Sequence, residues 1–316
     1  MYTMDTVIFI DGGLGRVIAA IPALLKFEKL NKEKEWIVIA PAWAPIFWSI
    51  TELQDKVYTG DEKGIFDNLI KDTKKFIKPE PYHNPRYFRQ EIGLVQAFDE
   101  EINFTTNHED LSPPILKFSR AEKLWAQKIL NELRQKQGKK YNIIIQPFGR
   151  GVRLENNKII DDAARSFHPD SYLLLTKNLA TKYNLIFFGD QQFQLSNDTY
   201  TAKLDPGTDI RMWAALINAC DYFIGVDSSG QHMARATNTH GSVFFGSTFP
   251  INTSYPDWFN IIEKNQKKKY SPIRICTLDC ALADRLNNEI MNFTSKDFET
   301  IIKNIDQDIM KKLENK

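Results

Sequence analysis

The sequence contains little cysteine, no long apolar run and almost no net charge. Its 316 residues include three cysteines, Cys220, Cys276 and Cys280, which are too few for a disulfide framework. Cys276 and Cys280 are four residues apart, but no further cysteine or nearby histidine completes a zinc set, so we expect reduced, partly buried thiols. No apolar segment is long enough to span a bilayer, and the N-terminus lacks a basic region followed by a signal core. These absences predict a cytoplasmic chain.

The balance of charges also excludes a class of partner. Lysine and arginine total 41 against 40 aspartates and glutamates, which leaves a net charge of +1. A dedicated nucleic-acid binder needs a clear excess of positive charge. We therefore expect no nucleic-acid partner.

Continuous apolar runs of strand length alternate with helical patterns. Such runs are typical of strands that are buried on both faces of a parallel sheet. They occupy residues 6–10, 36–40, 142–147, 184–189, 222–227 and 242–246. The alternation predicts an α/β fold with parallel sheets.

The length of the chain fits two domains of ordinary size. The segment from 76 to 117 is rich in proline, asparagine and aromatic residues and has weak periodicity, so we expect an irregular connection there. A helix predicted over 119–137 stops at Gly138 and leads into the strand at 142–147. This pattern predicts an N-terminal domain at 1–138 and a C-terminal domain at 139–316.

A glycine-rich turn follows the first strand in IFIDGGLGRVIAAIPALLKFEKL, residues 8–30. A dinucleotide fingerprint would align Gly13, Gly15 and position 18, but Ile18 stands there and no carboxylate ends the next strand. The P-loop pattern is also absent, because no Gly-Lys-Ser/Thr follows. What is left is a tight turn that lines a cleft at the carboxyl ends of the strands, or a purely structural turn.

A second constellation lies in IGVDSSGQHMARATN, residues 224–238, and VFFGSTFP, 243–250. One strand ends in a turn of small polar residues, and the next strand ends in a similar turn. Backbone amides and hydroxyls at two neighbouring turns of this kind can hold a diphosphate. The candidate ligands are Asp227, Ser228, Ser229, Gly230 and His232, with Gly246 and Thr248 in the second turn. His232 alone could also be a helix-cap or core histidine.

These motifs carry a family resemblance. The segments DSSGQHMA and FGSTFP resemble the ADP-heptose:lipopolysaccharide heptosyltransferases, glycosyltransferase family 9. LINACDYFIGVD, GRVIAAIPAL, RSFHPDSYLLL and MNFTSKDFETIIKNI are similar to further parts of that family. The resemblance covers both ends and most of the second half, with little support between residues 50 and 140.

The resemblance implies a GT-B architecture, in which two Rossmann-like domains face each other across a cleft and the C-terminal helix crosses back to the first. The second domain would bind a nucleotide-diphosphate sugar, with an ADP-linked heptose as one candidate, and the first a glycan or lipid-linked acceptor. Transfer would invert the anomeric centre and need no cofactor and no metal. The Asp-x-Asp of the chain, Asp306 and Asp308, lies in the last helix, away from the strand ends.

Three arginines are candidates for neutralising the donor phosphates. Arg165 stands where the family often has lysine, and a cation there would stabilise the charge that develops on the leaving diphosphate. Arg150 and Arg153, in the loop after the strand at 142–147, are further candidates. A solvated surface charge is the alternative for each of them.

One departure from the family concerns the catalytic base. Arg16 stands where the family has its catalytic aspartate, and an arginine cannot take a proton from an acceptor hydroxyl. Either Asp11 at the strand end is the base, or the acceptor differs, or transfer has been lost. Arg16 could also bind an acidic acceptor. The acceptor-side loop then comprises Gly12, Gly13, Gly15 and Arg16.

The sequence therefore predicts a glycosyltransferase. The alternatives are a nucleotide-sugar-binding protein of the same fold that no longer transfers, and a nucleotide-sugar epimerase. The predicted partners are a nucleotide sugar and a glycan or lipid-linked acceptor. The expected lack of a transmembrane segment is compatible with peripheral membrane contact.

Overall fold

The computed structural model describes residues 4–149, 151–156, 158–161, 164–204, 209–264 and 291–313. The chain forms two compact units, Met1–Ser119 and Arg120–Lys316. Each unit is built on a parallel sheet with helices, as the apolar runs predicted. No helix within the described ranges is both long and apolar enough to cross a membrane.

The first unit contains a four-stranded parallel sheet with the order β3-β2-β1-β4. Its strands are β1 (Thr6–Phe9), β2 (Trp36–Ile39), β3 (Val57–Tyr58) and β4 (Lys75–Ile77). Its helices are α1 (Leu14–Leu30), α2 (Pro85–Phe88) and α3 (Leu94–Asn103), with short helical turns at Ala44–Phe47, Thr51–Leu53, Phe66–Ile70 and Pro81–His83. β1 and β2 are the apolar runs predicted as strands, and burial of both is nearly complete.

The second unit contains a six-stranded parallel sheet with the order β12-β11-β10-β5-β8-β9. Its strands are β5 (Asn142–Gln146), β8 (Asn184–Phe187), β9 (Thr201–Ala202), β10 (Tyr222–Val226), β11 (Gly241–Phe245) and β12 (Asn260–Glu263). Its helices are α4 (Arg120–Gln137), α5 (Pro169–Leu179), α6 (Ile210–Ala219), α7 (Ser229–Ala236), α8 (Pro250–Thr253) and α9 (Ser295–Leu313). An antiparallel hairpin of β6 (Val152–Glu155) and β7 (Lys158–Asp161) stands apart from the sheet.

Both sheets share a strand order that opens a crevice at a defined place. Numbered within the second unit, the six strands run in the order 3-2-1-4-5-6, and the first unit shows the order 3-2-1-4. In such sheets ligands bind at the carboxyl edge between the first and fourth strands, where the order reverses. The switch points are therefore β1/β4 in the first unit and β5/β10 in the second.

Helix α4 belongs to the second unit, whereas the sequence placed it at the end of the first domain. It buries Leu130 and Leu133, and its Glu122 accepts hydrogen bonds from Arg211 Nε at 2.6 Å and Nη2 at 3.0 Å. The helix ends where the sequence predicted, because Gly138 has a φ of +72°. The observed boundary therefore lies between Ser119 and Arg120, before this helix, whereas the predicted boundary at residue 138 lies after it.

The segment predicted as an irregular connection contains a further helix. Helix α3 packs along α1 and buries one apolar face. That face comprises Leu94, Ala97, Phe98 and Ile102. The four-residue spacing of this face is typical of a helix, but the prolines and asparagines on either side of it made the whole segment look irregular.

The last described helix packs on the core of the second unit. Phe298, Ile305 and Ile309 of α9 lie in the core of this unit. Asp308 accepts a hydrogen bond from the Tyr222 hydroxyl at 2.5 Å, and Asp306 accepts one from Tyr183 at 2.9 Å. Both tyrosines stand at the amino-terminal ends of strands, so the Asp-x-Asp lies at the sheet edge opposite the switch point.

Close contact between β10 and β11 gives a test of the packing. A Cβ on Gly241 would lie 2.3 Å from the Phe223 carbonyl oxygen, whereas one on Gly138 would meet nothing within 4 Å. We expect Gly241→Ala to lower the free energy of unfolding by at least about 2 kcal/mol through overpacking. Gly138→Ala should cost roughly 1 kcal/mol, from its positive φ alone. Urea unfolding measures both, and equal losses would contradict the register of β10 and β11.

Candidate functional site

The β5/β10 switch point is held together by Gln146, the last residue of β5. Its side-chain oxygen accepts a hydrogen bond from the Gly230 backbone N–H at 2.9 Å, and its Nε2 lies 3.4 Å from Ser228 Oγ. A Cβ on Gly149 would come within 3.8 Å of the same serine hydroxyl. The loops that follow the two strands are therefore in direct contact at the carboxyl edge.

Asp227 organises this edge from a buried position. Its side chain is 5% exposed, Oδ1 accepts a hydrogen bond from Gln231 at 2.9 Å, and Oδ2 accepts one from Thr248 Oγ1 at 2.7 Å. The carboxylate thus joins β10, α7 and the turn after β11, which the sequence had placed side by side. Both oxygens accept hydrogen bonds from the protein, so Asp227 fixes the shape of this turn.

Arg165 brings a positive charge to Asp227. Its Nη1 lies 3.7 Å from Asp227 Oδ2, and its side chain is 24% exposed. Its buried Nε has no hydrogen-bond partner among the described residues. Leaving a buried charged donor unsatisfied is costly, and an anion bound beside it would satisfy the group.

The backbone that carries Arg165 is fixed by a buried carboxylate. Asp161, the last residue of β7, accepts hydrogen bonds from the Ser166 backbone N–H at 2.9 Å and its hydroxyl at 2.5 Å. The Ser166 hydroxyl oxygen in turn accepts a hydrogen bond from the Gly149 N–H at 2.9 Å. The hairpin is thereby tied to the loop after β5.

Two serines at the start of α7 present their hydroxyls at the same edge. Ser228 and Ser229 are half-buried, and the Ser228 side chain makes no capping hydrogen bond. The Gly230 N–H, in contrast, is already bonded to Gln146. Gly230 therefore contributes to the shape of the turn and the serines contribute polar groups.

Gly246 is required by packing. A Cβ there would lie 2.1 Å from the Ala164 carbonyl oxygen and 2.8 Å from Met291 Cγ. The absence of a side chain lets the turn after β11 approach the segment that carries Arg165, and the Ser247 N–H donates to the Ala164 carbonyl at 3.3 Å.

His232 is a buried, neutral histidine. Burial lowers its pKa to about 4, although the nearby Asp227 charge acts in the opposite direction. Its Nδ1 lies 2.8 Å from the Tyr255 hydroxyl, whose pKa is raised by burial. Either atom of this pair can donate, according to the tautomer of the ring. His232 therefore adds no positive charge to this edge.

The remaining sequence candidates of this unit lie apart from Asp227 or outside the described residues. Arg153 is exposed on β6 and pairs with Glu155 at 3.2 Å. Arg150, Cys276 and Cys280 lie outside the described residues. Cys220 is buried, and burial raises the pKa of its thiol.

In the first unit, Asp11 lies at the β1/β4 switch point between two cations. Lys78 Nζ, just after β4, is 3.0 Å from Asp11 Oδ2, and Arg16 Nη2 is 3.4 Å from Asp11 Oδ1. The carboxylate is 37% exposed, so a substrate hydroxyl can reach it. Asp11 is thus the accessible carboxylate of the glycine loop.

Arg16 is compensated within the protein. It is 7% exposed, its Nη1 donates to Glu80 at 2.8 Å, and its Nη2 donates to the Pro79 carbonyl at 2.6 Å. The rings of Tyr82 and Phe98 lie 5.3 and 5.5 Å from the guanidinium carbon. These contacts satisfy Nη1 and Nη2, whereas the buried Nε has no hydrogen-bond partner among the described residues.

The glycines of the loop allow this arrangement. Gly12 has a φ of +93°, and a Cβ there would lie 2.8 Å from Arg16 Cδ. Gly13 stands at the amino end of α1, and its carbonyl accepts the Arg16 and Val17 N–H groups. Gly15 lies in the first turn of α1.

Several residues of these two edges were missed by sequence reasoning. They are Lys78, Glu80, Gln146, Asp161, Ser166, Gln231 and Tyr255. Gln146 could have been found as the polar end of an apolar strand, and Gln231 as the residue one helical turn after Asp227. Lys78 and Glu80 follow β4, a strand too short and too charged to be predicted.

No protein-family model and no curated protein matches the sequence. Among solved structures, a glycosyltransferase family 9 protein from Veillonella parvula is similar, with a TM-score of 0.67, 12% identity and 98% of each chain covered. The ADP-heptose LPS heptosyltransferase II of E. coli has a TM-score of 0.53 at 14% identity, covering 91% of this chain and 99% of that one. The iron-containing dodecameric glycosyltransferase TibC from enterotoxigenic E. coli has a TM-score of 0.59 at 13% identity, covering 98% and 78%. The resemblance drawn from the motifs is thus confirmed at the level of the fold.

The neutral state of His232 makes stability depend on pH. The unfolded chain protonates this histidine near its ordinary pKa of 6.5, whereas the folded protein does so only near 4. Between these values the unfolded state binds more protons, so stability falls as the pH falls. Relative to His232→Gln, the native protein should lose about 2 kcal/mol of unfolding free energy between pH 7 and 4.5. Denaturant unfolding at both pH values measures this, and a constant difference would contradict a buried neutral histidine.

Proposed function

We propose that the protein is an inverting, metal-independent glycosyltransferase that uses a nucleotide-diphosphate sugar. The observation that carries this proposal is Arg165, whose Nη1 lies 3.7 Å from the buried Asp227 carboxylate and whose buried Nε has no hydrogen-bond partner among the described residues. Asp227 ends β10 at the β5/β10 switch point, where nucleotide ligands bind in sheets of this order, and the half-buried Ser228 and Ser229 follow it in the chain. A cation with an unsatisfied buried N–H at this edge suits a diphosphate.

Arg165 has the chemistry to stabilise the departing nucleotide. As the bond between the anomeric carbon and the diphosphate oxygen breaks, negative charge accumulates on that oxygen. A guanidinium held in place before the reaction stabilises this charge without reorganisation. Asp227 pairs with the Arg165 side chain, and Asp161 accepts a hydrogen bond from the Arg165 backbone N–H. This fixed cation can supply the charge stabilisation for which other enzymes use a metal.

Asp11 is the proposed general base. Its carboxylate would take the proton of an acceptor hydroxyl as the hydroxyl oxygen attacks the anomeric carbon from the side opposite the diphosphate. The products are the glycoside with inverted configuration, the nucleoside diphosphate and protonated Asp11. Lys78 and Arg16 keep the carboxylate oriented, and Arg16 therefore acts as a positioning residue.

The similar structures guide the choice of the first donor. TibC has been solved in complex with ADP-D-β-D-heptose. The fold shared with this protein supports an ADP-linked heptose as the first sugar nucleotide to test, with a glycan or lipid-linked acceptor. We propose a cytoplasmic site of action, where nucleotide sugars are available as substrates.

The donor site is tested by calorimetric titration with ADP, GDP, UDP and CDP. We expect one nucleotide to bind and Arg165→Ala to weaken its binding about 10- to 100-fold, which is the usual worth of a charged hydrogen bond. Arg120→Ala, an exposed arginine of the same unit, is the matched control and should bind as the native protein does. If none of the four binds, or both variants bind alike, the phosphate site is wrongly assigned.

The base is tested by following sugar transfer with Asp11→Asn. Because general base catalysis is worth about 10²- to 10⁴-fold, kcat should fall at least 100-fold while nucleotide binding is unchanged. Asp5→Asn is the control, since Asp5 precedes β1 at the opposite sheet edge and pairs with Lys74 at 2.6 Å. Transfer should also persist in a metal chelator. Donor binding without turnover by the native protein would instead identify a nucleotide-sugar-binding protein.

A further inference from the structure

The first unit contains an apolar pocket at the ends of its strands. Its volume is about 390 Å³, within the range of small-molecule sites. The walls come from the ends of three strands and from Ile70, and the rim comes from the loop after β3. The lining side chains used below are Phe9, Ile39, Ile70 and Phe76, with Thr59 and Asp61 at the rim.

One wall of the pocket exposes an aromatic ring to solvent. Phe76 on the edge strand β4 is 50% exposed, and its ring stacks with Phe9 at a centroid distance of 6.3 Å. Parallel sheets normally have both faces covered. Here the pocket interrupts the cover at the edge of a packed cluster that contains Val7, Ile37, Ile39 and Ile65. A concave, mostly apolar site of this kind suits a small ligand.

The rim offers no free backbone donor from Thr59 or Gly60. Glu62 accepts hydrogen bonds from the Thr59 N–H at 2.8 Å and the Gly60 N–H at 2.7 Å. The Thr59 hydroxyl donates to Asp61. A sugar ring placed against these walls would lose hydrogen bonds to water without replacing them, which is costly. A hydrocarbon chain has no such cost and gains from burial.

The pocket lies beside the proposed base. Phe9 is the last residue of β1, and Asp11 follows it by two residues. Lys78 connects them, because its Nζ lies 5.5 Å from the centre of the Phe9 ring and 3.0 Å from Asp11 Oδ2. A chain lying in the pocket would therefore bring its polar end to Asp11.

We infer that this pocket binds the hydrocarbon chain of the acceptor. The inference rests on the proposed function and makes it more specific, since it names a lipid-linked acceptor whose sugar hydroxyl meets Asp11. The chain packs between Phe9 and Phe76 on one side and Ile39 and Ile70 on the other. Chain length then governs acceptor affinity, while the nucleotide site in the second unit is unaffected.

The test is titration of the native protein with methyl, butyl, hexyl and octyl β-D-glucosides below their micellar concentrations. We expect each added methylene to tighten binding about two- to fourfold, as burial of hydrocarbon predicts. Phe76→Asp should abolish this dependence on chain length. The matched control is Phe66→Asp, because Phe66 is 61% exposed but does not line the pocket. Ile70→Ser, from the opposite wall, repeats the test if Phe76→Asp unfolds.

The outcomes separate the pocket from the proposed function. The pocket assignment is overturned, while the proposed function stands, if a nucleotide binds but glucoside affinity does not change with chain length. It is also overturned if Phe66→Asp loses the dependence on chain length to the same extent as Phe76→Asp. If chain length matters and no nucleotide binds, the proposed function fails, and the assignment to an acceptor falls with it. Chain-length dependence that Phe76→Asp removes, together with nucleotide binding, supports the inference.

Discussion

The pairing of the first strand with the fourth is the constraint on which both candidate sites depend. β1 pairs with β2 on one side and β4 on the other, and β5 pairs with β8 and β10 in the same manner. Since these strands are parallel, the loops that leave them end at one edge and diverge to either side. The polar residues of the two sites lie in these loops because the sheets leave open space there.

Buried carboxylates give the second site its rigidity. Asp227 accepts hydrogen bonds from Thr248 and Gln231, and Asp161 accepts them from the Ser166 backbone and hydroxyl. Removing such an acceptor would leave several donors unsatisfied in a region with little water. The carboxylates therefore hold the segment and side chain of Arg165 in place, and Arg165 brings a positive charge to Asp227. His232 remains neutral because burial outweighs the attraction of Asp227.

In the first unit, the main electrostatic feature is the buried positive charge of Arg16. Arg16 is too deeply buried to be left without an acceptor, and Glu80, Asp11 and the Pro79 carbonyl share its charge. Its position beneath the glycine loop explains why Gly12 has no room for a side chain. The same arrangement leaves Asp11 as a half-exposed carboxylate whose orientation is fixed by neighbouring cations.

Local patterns in the sequence predict the strands that are buried on both faces, the end of α4 at Gly138 and the turn residues around Asp227, because apolar runs and left-handed glycines act locally. Which side chains meet depends on how distant segments pack together. Arg165 reaches Asp227 across 62 positions, and Arg16 reaches Glu80 across 64. The short strand β4 and the hairpin that supports Arg165 form through pairing with distant segments, which no local pattern records. For the same reason the assignment of α4 and α9 to the second unit depended on the surfaces against which they pack.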